Sequence, residues 1–188
     1  MQKIFKKLKR GPQIILPKDC GMIVAYSGLS SNWNVLEAGT GSGFLTIFLA
    51  RLVYPGKVVT YEKRKDFYEL AKNNIKISKL DNIEIHNKDI IKAKIKEKFN
   101  LIVLDLKNPD KHIKKLDKYL LEDGIIVIYS PNIEQIKKSY DVLEKLEYEI
   151  KVIENIVRKW SVGKSTHPVS SGITHTGFLI FGEKINYV

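Results

Sequence analysis

Glu37-Ala38-Gly39-Thr40-Gly41-Ser42-Gly43 is the stretch around which this chain is organised. A short, mainly apolar run at residues 33–36 precedes it and reads as a buried strand. An apolar run at 44–53, free of Gly and Pro, follows it and reads as a helix. Strand, glycine turn and helix together open a nucleotide-binding α/β unit. The glycines let the backbone turn sharply and leave bare main chain for a ligand. The helix start then offers unpaired N–H groups to a phosphate or a carboxylate.

Spacing narrows the ligand. Glycines at 39, 41 and 43 with Phe44 next do not meet the dinucleotide pattern G-x-G-x-x-G, and no Gly-Lys-Ser/Thr follows as in a phosphate-binding loop. Glu62 ends the next apolar run, residues 57–61, about 20 residues past the loop, where a carboxylate grips ribose hydroxyls in this architecture. A glycine loop with a ribose carboxylate and no phosphate grip suits S-adenosylmethionine, its carboxylate near the helix end and its ribose on Glu62. The bland alternative is a tight strand-to-helix turn with no ligand.

Outward from the loop, strand and helix alternate. A helix is predicted at 18–26 after Pro17, with Gly28 as its stop. Strands are predicted at 35–37, 57–62, 83–86, 100–106 and 125–129, with helices at 42–53, 65–78, 110–120 and 132–146. Phe67, Leu70, Ala71, Asn74 and Ile75 share one face of the 65–78 helix, and Ile136, Tyr140 and Leu143 point inward from the 132–146 helix. The Lys-rich stretch 88–98 reads as a solvated loop, and Asp123-Gly124 as a turn. This order implies a parallel sheet with right-handed crossovers. Residues 148–160 alternate like an antiparallel strand, 163–173 read as a loop, and 176–181 as a last strand. The expected fold is α/β: a Rossmann-like, mainly parallel seven-stranded sheet with an antiparallel hairpin at its end.

Composition bounds the rest. At 188 residues the chain is one ordinary domain. No apolar run reaches membrane-spanning length, and residues 1–10, though basic, lack the apolar core of a signal peptide. The single cysteine, Cys20, fits a cytosolic setting and reads as a small buried apolar residue. The 32 basic and 21 acidic residues leave a net charge of +11. That excess favours a polyanionic partner, nucleic acid first, or else a Lys-rich surface serving solubility. Lys3, Lys6, Lys7, Lys9 and Arg10 make residues 1–12 a basic leader, either an arm on RNA or a solvated extension.

Several motifs together resemble one family, the tRNA (adenine-N1) methyltransferases that modify the T-loop adenosine. Gly11-Pro12-Gln13-Ile14-Ile15-Leu16-Pro17-Lys18-Asp19 resembles the segment leading into that family's catalytic domain. Residues 37–43 match its cofactor loop, Leu104-Asp105-Leu106 its catalytic strand end, Tyr129-Ser130-Pro131 with Gln135 its fifth-strand exit, and Thr174-His175-Thr176-Gly177-Phe178-Leu179 its closing strand. The likeness covers nearly the whole chain. The glycine loop is common to most class I methyltransferases, whereas the leading and closing segments are much more specific. Two departures stand out. The family usually carries an N-terminal β domain, and this chain begins about where that domain would end. It usually has Pro after Asp-Leu, where Lys107 stands here before Asn108-Pro109.

The resemblance implies S-adenosylmethionine as cofactor, held by Gln13, Leu16, Glu37, Gly39, Gly41, Ser42, Gly43, Glu62, Asp89 and Asp105. It also implies tRNA as partner and, by analogy, a homotetramer. Asp89 follows the third strand, where its carboxylate accepts from the cofactor adenine or simply caps a turn. Asp105 ends the fourth strand, where ligands collect in open α/β sheets, and is the candidate catalytic residue. Adenine N1 has an in-plane lone pair, so an acidic group on N6 orients the base and takes the proton released after methylation. N1 is hidden in folded tRNA, so the base leaves its stack, and Tyr129 either stacks on it or packs in the core. His167 and His175 lack partners at metal-ligand spacing, so no metal is expected, and His175 is expected to bond backbone. Competing readings are a methyltransferase of another RNA or a small molecule, and a non-catalytic RNA-binding partner subunit.

Overall fold

The computed structural model describes residues 5–11, 13–170 and 174–185. Lys3 of the basic leader, Pro12, and residues 171–173 of the expected 163–173 loop lie outside the described residues. In chain order the elements are α1 (Pro17–Ser27), β1 (Val35–Ala38), α2 (Phe44–Val53), β2 (Val58–Tyr61), α3 (Lys65–Ser78), β3 (Ile83–His86), β4 (Phe99–Leu104), α4 (Asp110–Leu116), β5 (Leu120–Ser130), α5 (Ile133–Glu144), β6 (Tyr148–Glu154), β7 (Trp160–Ser161), β8 (His167–Pro168) and β9 (Phe178–Lys184).

Seven strands form one sheet in the order β3-β2-β1-β4-β5-β9-β6. The first five run parallel, and β9 enters antiparallel between β5 and β6. The expected architecture is therefore present. Strands β1 and β4 are buried throughout except at Asn100, because helices cover both faces. Along β4, Ile102 and Leu104 face a core that includes Ile113 and Leu116 of α4 and Ile136 and Leu143 of α5. Leu101 and Val103 face the other core, with Cys20 and Ile23 of α1 and Leu45, Leu49 and Val53 of α2. Each fully buried aliphatic side chain contributes about 1.5–3 kcal/mol, against roughly 0–1 kcal/mol for an exposed ion pair, so these two cores hold the fold.

Several boundaries differ from expectation. The predicted 123–124 turn lies within β5, which starts at Leu120, as a break in its register with β4: Phe99 pairs with Leu120 and Leu101 with Ile125, and Asp123 has positive φ. Strand β6 stops at Glu154; Trp160–Ser161 instead pairs with His167–Pro168 inside the stretch read as loop. On α5 the buried face is Ile136, Ser139 and Leu143, and Tyr140 is 37% exposed. The small Ser139 fits where the helix meets the sheet, and it bonds Gln135 O at 2.8 Å. On α3, Ala71 and Asn74 are buried as predicted. Cys20 is buried, and burial pushes its thiol up to about 12. Among the described residues no helix is long and apolar enough to cross a membrane.

The described part of the leader is docked. Phe5 stacks on Phe44 at 5.5 Å, Leu8 is buried, and the main chain of Lys9 exchanges two hydrogen bonds with the Asn74 side chain.

Gly39 closes the sheet's active edge. Its φ is +93°, and a Cβ built there would come within 2.0 Å of the Asp105 carbonyl oxygen. Asp105 N donates to Ala38 O at 2.9 Å, and Gly39 N to Tyr61 O at 3.0 Å, so the exits of β1, β2 and β4 are drawn together. Gly39→Ala adds both a left-handed strain and a backbone clash. We expect it to lower stability by about 2–4 kcal/mol, read from the denaturant midpoint.

Candidate active site

The parallel strands deliver their carboxyl ends to one edge, and the sheet order reverses between β1 and β4. A crevice forms there in open α/β sheets. The glycine loop follows β1, Glu62 follows β2, Asp89 follows β3, and Asp105 follows β4. Residues scattered over nearly 70 positions thus meet at one rim.

One cleft, about 160 Å3, is lined by Gly39, Glu62, Asp89 and Asp105 among others. Glu62 is buried, and its carboxylate accepts from Gly41 N at 3.0 Å and Arg64 N at 2.9 Å. Two main-chain donors thus fix it, and a carboxylate has acceptor sites left for hydroxyls. Asp89 does cap a turn, accepting from Ile91 N at 3.0 Å, and lines the same cleft beside Glu62.

At the loop itself, Gln13, Glu37, Gly39, Gly41, Ser42 and Asp105 border a narrow gap. A Cβ on Gly41 would meet only Gly39 O, at 4.0 Å, so the loop keeps open space against bare backbone. Gly43, at φ +78°, caps α2 and packs against Ala71. Ser42 is buried, and its Oγ has no hydrogen-bond partner among the described residues. Asn74, buried on α3, donates to Ser42 O and to Lys9 O, both at 2.8 Å. Its inward face was legible from spacing; its role as a clamp across leader and loop was not. Glu37 is buried beneath the loop, where Thr46 Oγ1 donates to it at 2.5 Å. Desolvation outweighs that bond and pushes its carboxyl up to about 7.

A second cleft, about 310 Å3, is lined by Gln13, Ile14, Leu16, Asp105, Tyr129, Pro131 and Thr176. Tyr129 is 8% exposed; its hydroxyl donates to Thr176 O at 2.7 Å, and its ring fills the space a side chain on Gly177 would need. It walls the cleft rather than presenting an open face to it. Burial pushes its hydroxyl up to about 12, so it stays a donor.

Behind this wall the leading and closing segments are joined. Lys18 Nζ donates to Asp19 Oδ1 and Thr176 Oγ1 at 2.7 Å and to Asn155 O at 2.5 Å. Thr176 Oγ1 donates in turn to Asp19 Oδ2 at 2.8 Å. Asp19 is 1% exposed, so removing Lys18 leaves a buried charge, typically about 3–5 kcal/mol. His175 bonds Pro131 O at 3.4 Å, the expected backbone contact, and also Glu154 at 2.6 Å. Both partners are acceptors, so a protonated imidazole donates to both. Its pKa is raised, first by Glu154 and then by the Pro131 carbonyl. Lys18, Asp19, His175 and Thr176 stand in the leading and closing motifs but do not read as parts of a site; only that the two motifs occur together hints that they meet.

Asp105 borders both clefts and the gap. Surrounding protein and then the Glu62 charge push its carboxyl up to about 7, while its side chain remains open to the clefts. Water there returns part of the lost solvation, so the upward direction is what bears on the chemistry. Among the described residues no three His, Cys, Asp or Glu side chains group as metal ligands.

Glu37 and Asp105 make stability pH dependent. A carboxyl raised in the folded state holds its proton where the unfolded chain has lost it. Stability is therefore full below the unfolded pKa and falls as pH rises through about 7. Glu37→Gln removes one of the two, so its unfolding midpoint should decline less than the wild type's between pH 5 and 8. Parallel declines would show that Glu37 does not titrate there.

Comparison with known proteins agrees with this arrangement. A tRNA (adenine(57)-N(1)/adenine(58)-N(1))-methyltransferase TrmI from Methanocaldococcus jannaschii is 36% identical, covering 95% of this chain and 74% of that protein. The crystal structure of tRNA (m1A58) methyltransferase TrmI from Aquifex aeolicus superposes with a TM-score of 0.88 at 30% identity, covering 97% and 74% of the two chains. A structure described as a SAM-dependent O-methyltransferase from Thermotoga maritima superposes at 0.90 with 29% identity, covering 98% and 71%. Residues 6–174 match the family described as tRNA methyltransferase complex GCD14 subunit. With the glycine loop, the rim carboxylates and the leading segment 11–19 lying inside that match, the chain belongs to this tRNA methyltransferase family.

Proposed function

We propose that this chain is one methyltransferase domain that transfers the methyl group of S-adenosylmethionine to N1 of adenine in the T-loop of tRNA, the position-58 reaction in the names of its relatives. The observation that carries this reading is Asp105, a carboxylate on the wall shared by two clefts. One cleft suits the cofactor. The bare backbone at Gly41 and the orphaned Ser42 hydroxyl fit its amino-acid end, with Gln13, Glu37, Gly39 and Gly43 shaping that end. Glu62 suits the ribose hydroxyls and Asp89 the adenine amino group. The other cleft suits a flipped base, with Leu16 and Tyr129 in its walls.

Bound there, the cofactor supplies an electrophilic methyl group on a sulfonium. Asp105 accepts a hydrogen bond from the adenine N6 amino group, which orients the ring and aims the N1 lone pair. Positioning of this kind accounts for much of the acceleration of an in-line transfer. As N1 gains its fourth bond, the base becomes cationic, and the adjacent carboxylate stabilises that charge. Asp105 then takes a proton from N6, a task suited to a carboxylate made more basic by its surroundings.

Incubation with tRNA and S-adenosylmethionine, followed by mass spectrometry of the nucleosides, should reveal N1-methyladenosine. Its absence would overturn the assignment. Asp105→Asn keeps the size and loses the charged acceptor. Its single-turnover rate should fall about 10²–10⁴-fold, with cofactor affinity nearly unchanged. Glu62→Gln should instead weaken S-adenosylmethionine binding by about 1–3 kcal/mol in titration calorimetry; unchanged affinity would remove Glu62 from the site.

A further inference from the structure

Beyond the clefts, the segment joining β3 to β4 is a loop with exposed lysines, as its sequence suggests, but one face of it is packed. Lys92, Lys94, Lys96 and Lys98 are exposed, whereas Ala93 and Phe99 are buried and Ile95 packs against the core between them. From the end of the 3-10 turn Ile90–Lys92 to the start of β4, this alternation keeps one face inward and sets the four ammonium groups outward. Such a comb suits successive phosphates on one nucleic-acid strand. Helix α4 and the 3-10 turn after it carry a second row: Lys111 and Lys114 on the helix and Lys118 on the turn are exposed, with Ile113 and Leu116 buried between them in sequence.

The two rows are fastened together. Lys115 Nζ donates to Ile90 O at 3.2 Å, to Ile91 O and to Ala93 O at 3.4 Å, so α4 is tied to the start of the comb. Both rows begin at the active site, because Lys88 and Lys107 line the cleft that holds Glu62 and Asp89. None of the exposed lysines in these rows is in an ion pair among the described residues, and Glu97, the comb's own acid, is turned to Lys57 at 2.9 Å. Residues 88–118 hold ten lysines against five carboxylates, a net +5 within a chain of +11.

We propose that this double row is the track for the phosphodiester backbone of the RNA strand flanking the methylated nucleotide. The proposal rests on the tRNA reading above. Here Lys107 meets a phosphate at the mouth of the cleft, and the comb and stripe carry the strand away from it. The lysines neutralise phosphates and release counterions, which makes binding steeply salt dependent without reading sequence.

The test compares tRNA binding by the full chain, by K92Q/K94Q/K96Q/K98Q, and by a control losing equal charge on α3, α5 and the residue that follows α5, K72Q/K76Q/K138Q/K145Q. Titration calorimetry with S-adenosylmethionine runs alongside; equal cofactor affinity shows that each variant is folded. The comb variant should bind tRNA roughly ten- to a hundredfold more weakly near 0.1 M salt. Its log K against log salt slope should be shallower by about 3, near 0.7 for each lost phosphate contact. The control should keep the wild-type slope. A comb variant with the wild-type slope, or a control that loses as much, overturns the track while leaving the tRNA assignment intact. Wild-type protein that does not bind tRNA overturns both. Binding to anionic vesicles that tRNA does not displace would assign the rows to a lipid surface instead.

Discussion

The main chain at Gly39 runs so close to the carbonyl of Asp105 that not even a methyl group fits between them. Everything at the active edge depends on that approach. It brings the exits of β1 and β4 together where the sheet order reverses, so the glycine loop and Asp105 share a wall. Two clefts consequently meet at one carboxylate, and a methyl donor and its acceptor can face each other across it. A larger residue at 39 would separate the strand exits, and with them the two halves of the site.

Charge is segregated by depth. Glu37 and Glu62 are buried and Asp105 opens onto the clefts beside them; desolvation comes first in raising Glu37 and Asp105, and the Glu62 charge adds to both. Lysines occupy the rim and the adjoining face. The proposed reaction needs this division. Inside, carboxylates stabilise a sulfonium donor and a cationic methylated base. Outside, ammonium groups meet a polyanion. A uniformly basic surface would draw RNA but would disfavour the positive charge that the transfer creates.

The wall opposite the glycine loop is held by polar contacts rather than by packing alone. Lys18 and Asp19 at the start of α1 bind Thr176 ahead of β9, and His175 bridges Glu154 and Pro131. Asn74 does the corresponding work on the near side, joining the leader to the loop. Both clamps tie segments far apart in sequence to residues that line the clefts. Asp19 and Asn74 are the buried partners in these clamps, and breaking the clamps would leave their polar groups unsatisfied.

From the sequence alone came the glycine loop, the alternation of strand and helix, the parallel sheet with its reversed last strand, and the rim carboxylates Glu62, Asp89 and Asp105. These were legible because they depend on local rules: apolar periodicity, glycine at sharp turns, and acidic residues at strand ends. The tertiary structure decided the rest. It packed Tyr129 against Gly177, exchanged Tyr140 for Ser139 on the inner face of α5, split the tail at Glu154, and pressed one face of the lysine-rich loop against the core. Thr176 and Asp19 stand 157 residues apart, yet share a hydrogen bond. Periodicity reports which way a side chain faces on its own element. Which partner it meets there is set by the order in which strands join the sheet, and that order is a property of the packed molecule.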